Sequence, residues 1–313
     1  MSDTTALPNR RRALSAVAVL ALAAPIALVS GAAAQAAPPA PDGWQTVFAD
    51  DFDGPAGEGV DGNNWILQQG HGYPGGASNW GTGEIQSMTS DPANVSKDGA
   101  GHLAITPQRD GAGNWTSARV ESARTDFAAP AGGVMRIEAS LKLPDVNEQN
   151  GTAYWPAFWA LGDNARSNGA ANWPSIGELD IMEAINARNS HFGTLHCGVA
   201  PGGPCNEFNG LGSGERSCDG CRTAFHTYAV ELDRSGAVEQ LRWYRDGEQY
   251  YTVNADQMDA QSWANAVHHG FFVIMNVSIG GGFPGAFGGA VPNDATEPGK
   301  PMLVDYVAVY TRG

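Results

Sequence analysis

The chain has 313 residues, with 18 Lys and Arg against 33 Asp and Glu and a formal net charge of −15. A surface that acidic repels nucleic acid and anionic membranes, which argues against both as partners. Its 41 glycines and 9 tryptophans suit many tight turns and a carbohydrate-facing surface better than a helical bundle.

The first residues read as an address. Arg10, Arg11 and Arg12 form a positive n-region, an Ala/Leu/Val-rich run covers residues 13–34, and Ala34-Gln35-Ala36 supplies the small residues a signal peptidase needs. That run is long enough to span a bilayer, so an uncleaved anchor is the alternative. The small-residue exit and the Pro38-Pro39 break favour cleavage. Residues 1–37 are therefore expected to be a signal peptide, of the Sec or twin-arginine type. Cleavage removes three arginines and only one acid, Asp3, leaving the secreted chain more acidic still. Residues 38–313 carry no linker-like tract or repeat and are expected to form one domain, monomeric by default and without membrane contact.

That domain reads as short alternating segments between turns, with strands expected at 45–48, 102–106, 133–143, 227–232, 240–244 and 250–253. In Val134-Met135-Arg136-Ile137-Glu138-Ala139-Ser140-Leu141, the residues Arg136, Glu138 and Ser140 share one face. Asp246-Gly247 is a hairpin signal between two aromatic strands. The segment 271–279 is nearly all apolar, as a strand buried on both faces would be, and 302–310 closes the chain. Only 256–266 looks helical. Two packed antiparallel sheets account for this pattern better than a βαβ arrangement.

The segment 176–185 is apolar enough for a strand, yet it carries Glu178, Asp180 and Glu183. Period-two alternation puts Glu178 and Asp180 on one face and Glu183 on the other. One extra residue, inserted as a β-bulge around Ile181-Met182, returns Glu183 to the first face. Three acids in a row would repel one another unless the site uses shifted pKa values. Double-displacement glycoside hydrolysis needs such a set: one ionised carboxylate to attack, one protonated carboxyl to donate, and a neighbour to tune them. Solvated acids on an exposed strand, or a divalent-metal cluster, are the alternatives. Trp155-Pro156-Ala157-Phe158-Trp159 and Trp173-Pro174 upstream, and Gly193-Thr194-Leu195-His196 downstream, favour sugar, because the CH-rich face of a pyranose lies well on an indole.

Cys197, Cys205, Cys218 and Cys221 follow closely, with His196 beside them. A zinc site is one reading. An exported chain meets an oxidising compartment, which favours two local disulfides. Of the three pairings, Cys197–Cys205 with Cys218–Cys221 is preferred.

These residues together resemble glycoside hydrolase family sixteen, in its laminarinase-like endo-β-1,3-glucanase branch. The matching stretches are Trp155-Pro156-Ala157-Phe158-Trp159, Gly177-Glu178-Leu179-Asp180-Ile181-Met182-Glu183 and Thr194-Leu195-His196. Ser117-Ala118-Arg119-Val120, Asn276-Val277-Ser278-Ile279-Gly280-Gly281 and Asp305-Tyr306-Val307-Ala308-Val309-Tyr310 also match, all in family order. The resemblance implies an all-β jelly-roll sandwich of two antiparallel sheets with a concave substrate cleft. It implies Glu178 as nucleophile, Asp180 as helper and Glu183 as acid/base. It also implies substrate contacts by Trp80, Trp155, Trp159 and His196, and a sugar-contacting or acid-positioning role for Glu84 and Arg119. No cofactor is implied for catalysis. A structural calcium is implied at the carbonyls of Asp51 and Gly101 and the side chain of Asp305.

Two departures bear on substrate. Thr82 stands where laminarinases carry Asn, and the cysteine loop resembles a branch shared by secreted actinobacterial and fungal proteins. The expected function is a retaining endo-β-1,3-glucanase, acting also on mixed-linkage glucan. The alternatives are the same chemistry on a β-1,3-galactan, a noncatalytic β-glucan-binding protein, and a secreted calcium-bound scaffold without sugar affinity.

Overall fold

The computed structural model describes residues 1–3 and 38–313. Apart from its first three residues, the expected signal peptide, with its arginine cluster and apolar run, lies outside the described residues.

Residues 38–313 form a β-jelly-roll sandwich. One eight-stranded sheet runs in the order Glu248–Asn254, Gln240–Arg245, His226–Asp233, Val134–Lys142, Met302–Arg312, Leu103–Ile105, Val95–Lys97, with Gln45–Asp50 also paired to Met302–Arg312. The other runs Leu211–Gly212, Ser190–His196, Glu178–Glu183, Tyr154–Gly162, Phe271–Ile279, Arg119–Ser122, Trp65–Leu67, with Arg216–Ser217 added beside Ser190–His196. Every pairing in these two sheets is antiparallel, and a small third sheet holds Ser87–Met88, Trp115–Ser117 and Gln108–Arg109.

Local chemistry explains the elements. Asp246 and Gly247 both take positive φ, 51° and 80°, as the twist-matched two-residue hairpin requires. All nine residues of Phe271–Ile279 are buried, because that strand packs on both faces. The helix is shorter than its sequence pattern suggests. It spans Ala260–Val267, since the Asp259 carboxylate accepts from the backbone N–H groups of Gln261 and Ser262 and so fixes the first turn; Ala255–Gln257 is a separate 3₁₀ turn.

The core lies between the sheets, where Phe158, Leu179, Leu195, Met275 and Val277 of one meet Ile137, Leu141, Val230, Trp243 and Val309 of the other. Fully burying each large side chain contributes about 1.5–3 kcal/mol. Alternation along the same strands then sends Trp155, Trp159, Asn276, Ser278, Glu178 and Asp180 to the opposite face of the second sheet, where the functional residues gather.

Candidate active site

The bulge expected in the acidic strand is present. Trp159 pairs with Asp180 and Phe158 with Met182, so Ile181 is the extra residue; on the other side the register shifts between Asp180 and Glu183. Ile181 and Met182 are consecutive, and both are fully buried in the inter-sheet core. Their shared direction brings Glu183 back to the face of Glu178 and Asp180.

A bulge breaks the hydrogen-bond ladder, and the freed carbonyls need donors. They find them across the core. The Trp243 indole N–H, from the opposite sheet, donates to the Asp180 carbonyl at 2.8 Å, and the Tyr250 hydroxyl reaches the Ile181 carbonyl at 3.4 Å. Such close approach needs Gly193 on the neighbouring strand, where a Cβ would lie 2.6 Å from Trp243 Cδ1 and 2.7 Å from the Tyr250 hydroxyl. At the start of the acidic strand, Gly177 has φ +78°, and a Cβ there would lie 2.0 Å from the Ala266 carbonyl oxygen.

The three carboxyls have different surroundings. Asp180 lies between the two glutamates in sequence, and its Oδ2 is 3.3 Å from His196 Nε2. The other ring nitrogen, Nδ1, is 2.7 Å from Glu207 Oε2. Burial works against a charge on His196, but its hydrogen bonds to Asp180 and Glu207 outweigh that and raise its proton affinity well above the ordinary value. Burial, then the charge of Asp180, pushes the Glu178 carboxyl up to about 8, while His196 and Arg119 pull it down. Glu183 is raised well above the ordinary carboxylate range by burial first and Asp180 next; the Trp155 indole, donating to Glu183 Oε1 at 2.8 Å, opposes this. Oxygen and nitrogen atoms of Glu178, Asp180 and His196 lie within 4.8 Å of one another. With both ring nitrogens turned to carboxylates, His196 has no lone pair to offer, which disfavours the divalent-metal reading of the cluster.

The tryptophans line this face, and polar residues set their orientation. Arg119 is 4% exposed, with its guanidinium 4.4 Å from the Trp80 ring centroid and 4.7 Å from that of Trp159. Two such cation–π contacts, partly desolvated, fix both indoles. Arg119 is itself held by Glu121 and the Tyr73 hydroxyl, each at 2.7 Å. The Trp159 N–H donates to Asn276 Oδ1 at 2.8 Å. Glu84 is also buried, accepting from Thr82 at 2.8 Å, from Gln86 and from Ser278. Arg119 and Glu84 therefore support the walls instead of presenting polar groups to solvent. Thr82, the departure noted in sequence, belongs to the Glu84 network. At the Glu183 end, Trp155 packs edge-on against Phe283, which also meets Phe192 and Phe287.

Sequence reasoning thus brought together Glu178, Asp180, Glu183, Trp80, Glu84, Arg119, Trp155, Trp159 and His196, all on or beneath one face. It missed the supports: Glu207, Asn276, Glu121, Tyr73 and Trp243. Asn276 and Ser278 stood in a quoted family stretch, two residues apart on one strand, and that spacing was a usable signal. Glu207 was readable only as an acid two residues beyond Cys205. Nothing local marks Trp243, which acts from the opposite sheet.

The cysteines pair as preferred, Cys197–Cys205 and Cys218–Cys221, with no free cysteine among the described residues. Sulfurs bonded to each other leave no thiolates for zinc. The expected calcium residues lie elsewhere. Burial raises the proton affinity of the Asp305 carboxyl, and the charges of Asp51 and Asp53 raise it further, against a hydrogen bond from Ser140. The expected donor set, the carbonyl oxygens of Asp51 and Gly101 and the carboxylate of Asp305, is all oxygen, which is the chemistry a hard divalent cation such as calcium takes.

Known proteins are similar to this chain. The family model described as "XgeA-like, catalytic GH16 domain" matches residues 138–210. The solved structure of an endo-1,3-beta-glucanase from Streptomyces sioyaensis superposes with a TM-score of 0.86 at 56% identity, covering 88% of this chain and 99% of that one. A beta-glucanase of Rhodothermus marinus is 30% identical over 85% of each chain. The clotting factor G alpha subunit of Tachypleus tridentatus is 30% identical over 85% of this chain but only 34% of its own length, so the chain spans about a third of that relative.

Proposed function

The chain belongs to glycoside hydrolase family 16, and from that premise we propose that it is a retaining endo-β-1,3-glucanase that also accepts mixed-linkage glucan. One observation carries the chemistry: the bulge at Ile181 that turns Glu178, Asp180 and Glu183 to one face, among tryptophans. Glu178 attacks the anomeric carbon while Glu183 donates its proton to the departing glycosidic oxygen. Glu183, now ionised, then takes a proton from water, and that water releases the sugar from Glu178. Asp180, with cationic His196 against it, shapes the field in which both glutamates exchange charge. Trp80, Trp155 and Trp159 offer ring faces and edges to pyranose rings. Glucan as substrate is supported by the printed activities of the relatives from S. sioyaensis and R. marinus.

Export through a signal peptide at residues 1–37 accords with two disulfides, which persist in oxidising compartments. Calcium bound by Asp51, Gly101 and Asp305 acts structurally. Laminarin, lichenan and β-1,3-galactan, each incubated with the enzyme and assayed for new reducing ends, test the substrate. Release from the first two supports the proposal, and release from galactan alone overturns it. Early product anomers observed by NMR test the mechanism: β product is expected, and early α product contradicts the roles given to Glu178 and Glu183.

A further inference from the structure

The segment that follows His196 contributes an acid that the double-displacement scheme does not use. Glu207 lies two residues beyond Cys205, just outside the loop closed by Cys197–Cys205, and its side chain is fully buried. Its Oε2 faces His196 Nδ1 at 2.7 Å, and its Oε1 accepts from the Cys197 backbone N–H at 2.9 Å. Gly202 and Glu207 exchange backbone hydrogen bonds, so the disulfide and this small bridge together fix where the carboxylate points. A buried carboxylate with a single cationic partner is costly unless that partner stays charged.

The ring has carboxylate acceptors at both nitrogens, Glu207 at Nδ1 and Asp180 at Nε2. Neutral imidazole has one N–H and one lone pair, so it satisfies only one of them; imidazolium satisfies both. Glu178 also faces the ring, across the strand pairing Glu178 with His196, and Trp173 packs against the ring 5.6 Å away between centroids. The charged groups around His196 are thus Asp180, Glu178 and Glu207, with Glu183 farther along the strand also feeling its charge.

We propose that Glu207 is a positioning residue for the hydrolysis: it keeps His196 doubly protonated beside Asp180, and that fixed positive charge favours the ionised form of Glu178 that attacks. The inference rests on the glucanase reading for its kinetic consequence but not for its charge state. Glu207 also bears directly on Glu178 as a like charge, yet His196 acts on Glu178 more strongly, so neutralising Glu207 and with it His196 makes Glu178 harder to ionise.

Glu207→Gln retains size and an acceptor for the Cys197 N–H while removing the charge. For laminarin hydrolysis, the acidic limb of kcat/KM is expected to move upward by about one pH unit, which is roughly a tenfold loss on that limb. Glu207→Asp, tested alongside, is expected to restore the limb in part. Nitrogen shifts of the His196 ring, measured by NMR without substrate, give a second readout. They should report imidazolium at neutral pH in the wild type and neutral imidazole in Glu207→Gln. A limb that stays in place while the rate or melting temperature falls evenly overturns the proposal, and so does a neutral ring in the wild type. If the wild type does not cut glucan yet the ring shifts behave as expected, the glucanase reading fails and the charge assignment stands.

Discussion

The two ends of the acidic strand make an instructive pair. At one end Glu178 faces His196 and lies within the influence of Arg119, two cations that favour its ionised form. At the other, Glu183 meets the Trp155 indole and an aromatic group of Phe192, Phe283 and Phe287, with one N–H as its direct support and the His196 charge as a lesser one. Both carboxyls are raised by burial and by Asp180 between them. The difference lies in what opposes the rise. In the proposed mechanism, identical side chains five positions apart on one strand take the roles of nucleophile and acid, the first beside two cations and the second mostly among aromatic rings.

Removing either carboxyl breaks the comparison most severely. Glu178→Ala is expected to lower kcat by about 10⁴-fold or more. Glu183→Ala should cost about 10²–10⁴-fold. On an activated substrate azide should rescue only the latter with a β-glycosyl azide as product, whereas azide attack in Glu178→Ala should give the α anomer. The same azide anomer from both variants would show that the two ends are equivalent.

A smaller effect follows from the support of the bulge. Trp243→Phe leaves the Asp180 carbonyl without its donor and should destabilise by about 1–3 kcal/mol in chemical denaturation, with a loss of activity beyond what stability explains. An unchanged rate would detach the bulge from the chemistry. Next, Trp155→Phe removes the N–H that favours ionised Glu183. Its proton affinity should then rise further, moving the alkaline limb of the pH–rate profile upward by about one unit.

Stability against pH sharpens the Glu178 end. A carboxyl whose proton affinity is raised on folding binds more protons in the folded state, so its ionisation costs stability as pH rises from 4.5 toward about 8. Glu178→Gln removes that cost. Its melting temperature should exceed the wild type by about 2–4 °C at pH 8, the response to roughly 1 kcal/mol in a domain of this size, and by less at pH 5. The smallest effect expected on catalysis comes from calcium. Chelation should lower the melting temperature, and calcium at a hundredfold its Kd should restore about 2.7 kcal/mol in the wild type but not in Asp305→Asn, with little change in rate below the melting range.

Much of this site was legible along the chain because its signals are local. Period-two alternation in Glu178–Glu183 leaves Glu183 on the wrong face, so the bulge was demanded before it was seen, and Ile181-Met182, two apolar residues in a row, marked its place. Asp246-Gly247 announced its hairpin in the same way. The helix start was shifted because Asp259, inside the apolar pattern, caps the helix, whereas Asn254 caps only the separate 3₁₀ turn Ala255–Gln257. What stayed hidden was non-local. Arg119 and Glu84 read as residues that contact sugar or position the acids, and part of what holds each is distant in sequence: Trp159 for the first, Ser278 for the second. Trp243 supports Asp180 from another sheet, and no spacing in the chain encodes that contact.

The claim that environment divides the labour between Glu178 and Glu183 is tested most directly by trapping the intermediate. A 2-deoxy-2-fluoro laminaribioside with an activated leaving group should accumulate on the nucleophile, because the electronegative fluorine slows release of the sugar. Peptide mapping by mass spectrometry is predicted to find the sugar esterified to Glu178. A label on Glu183 or Asp180 would contradict the account.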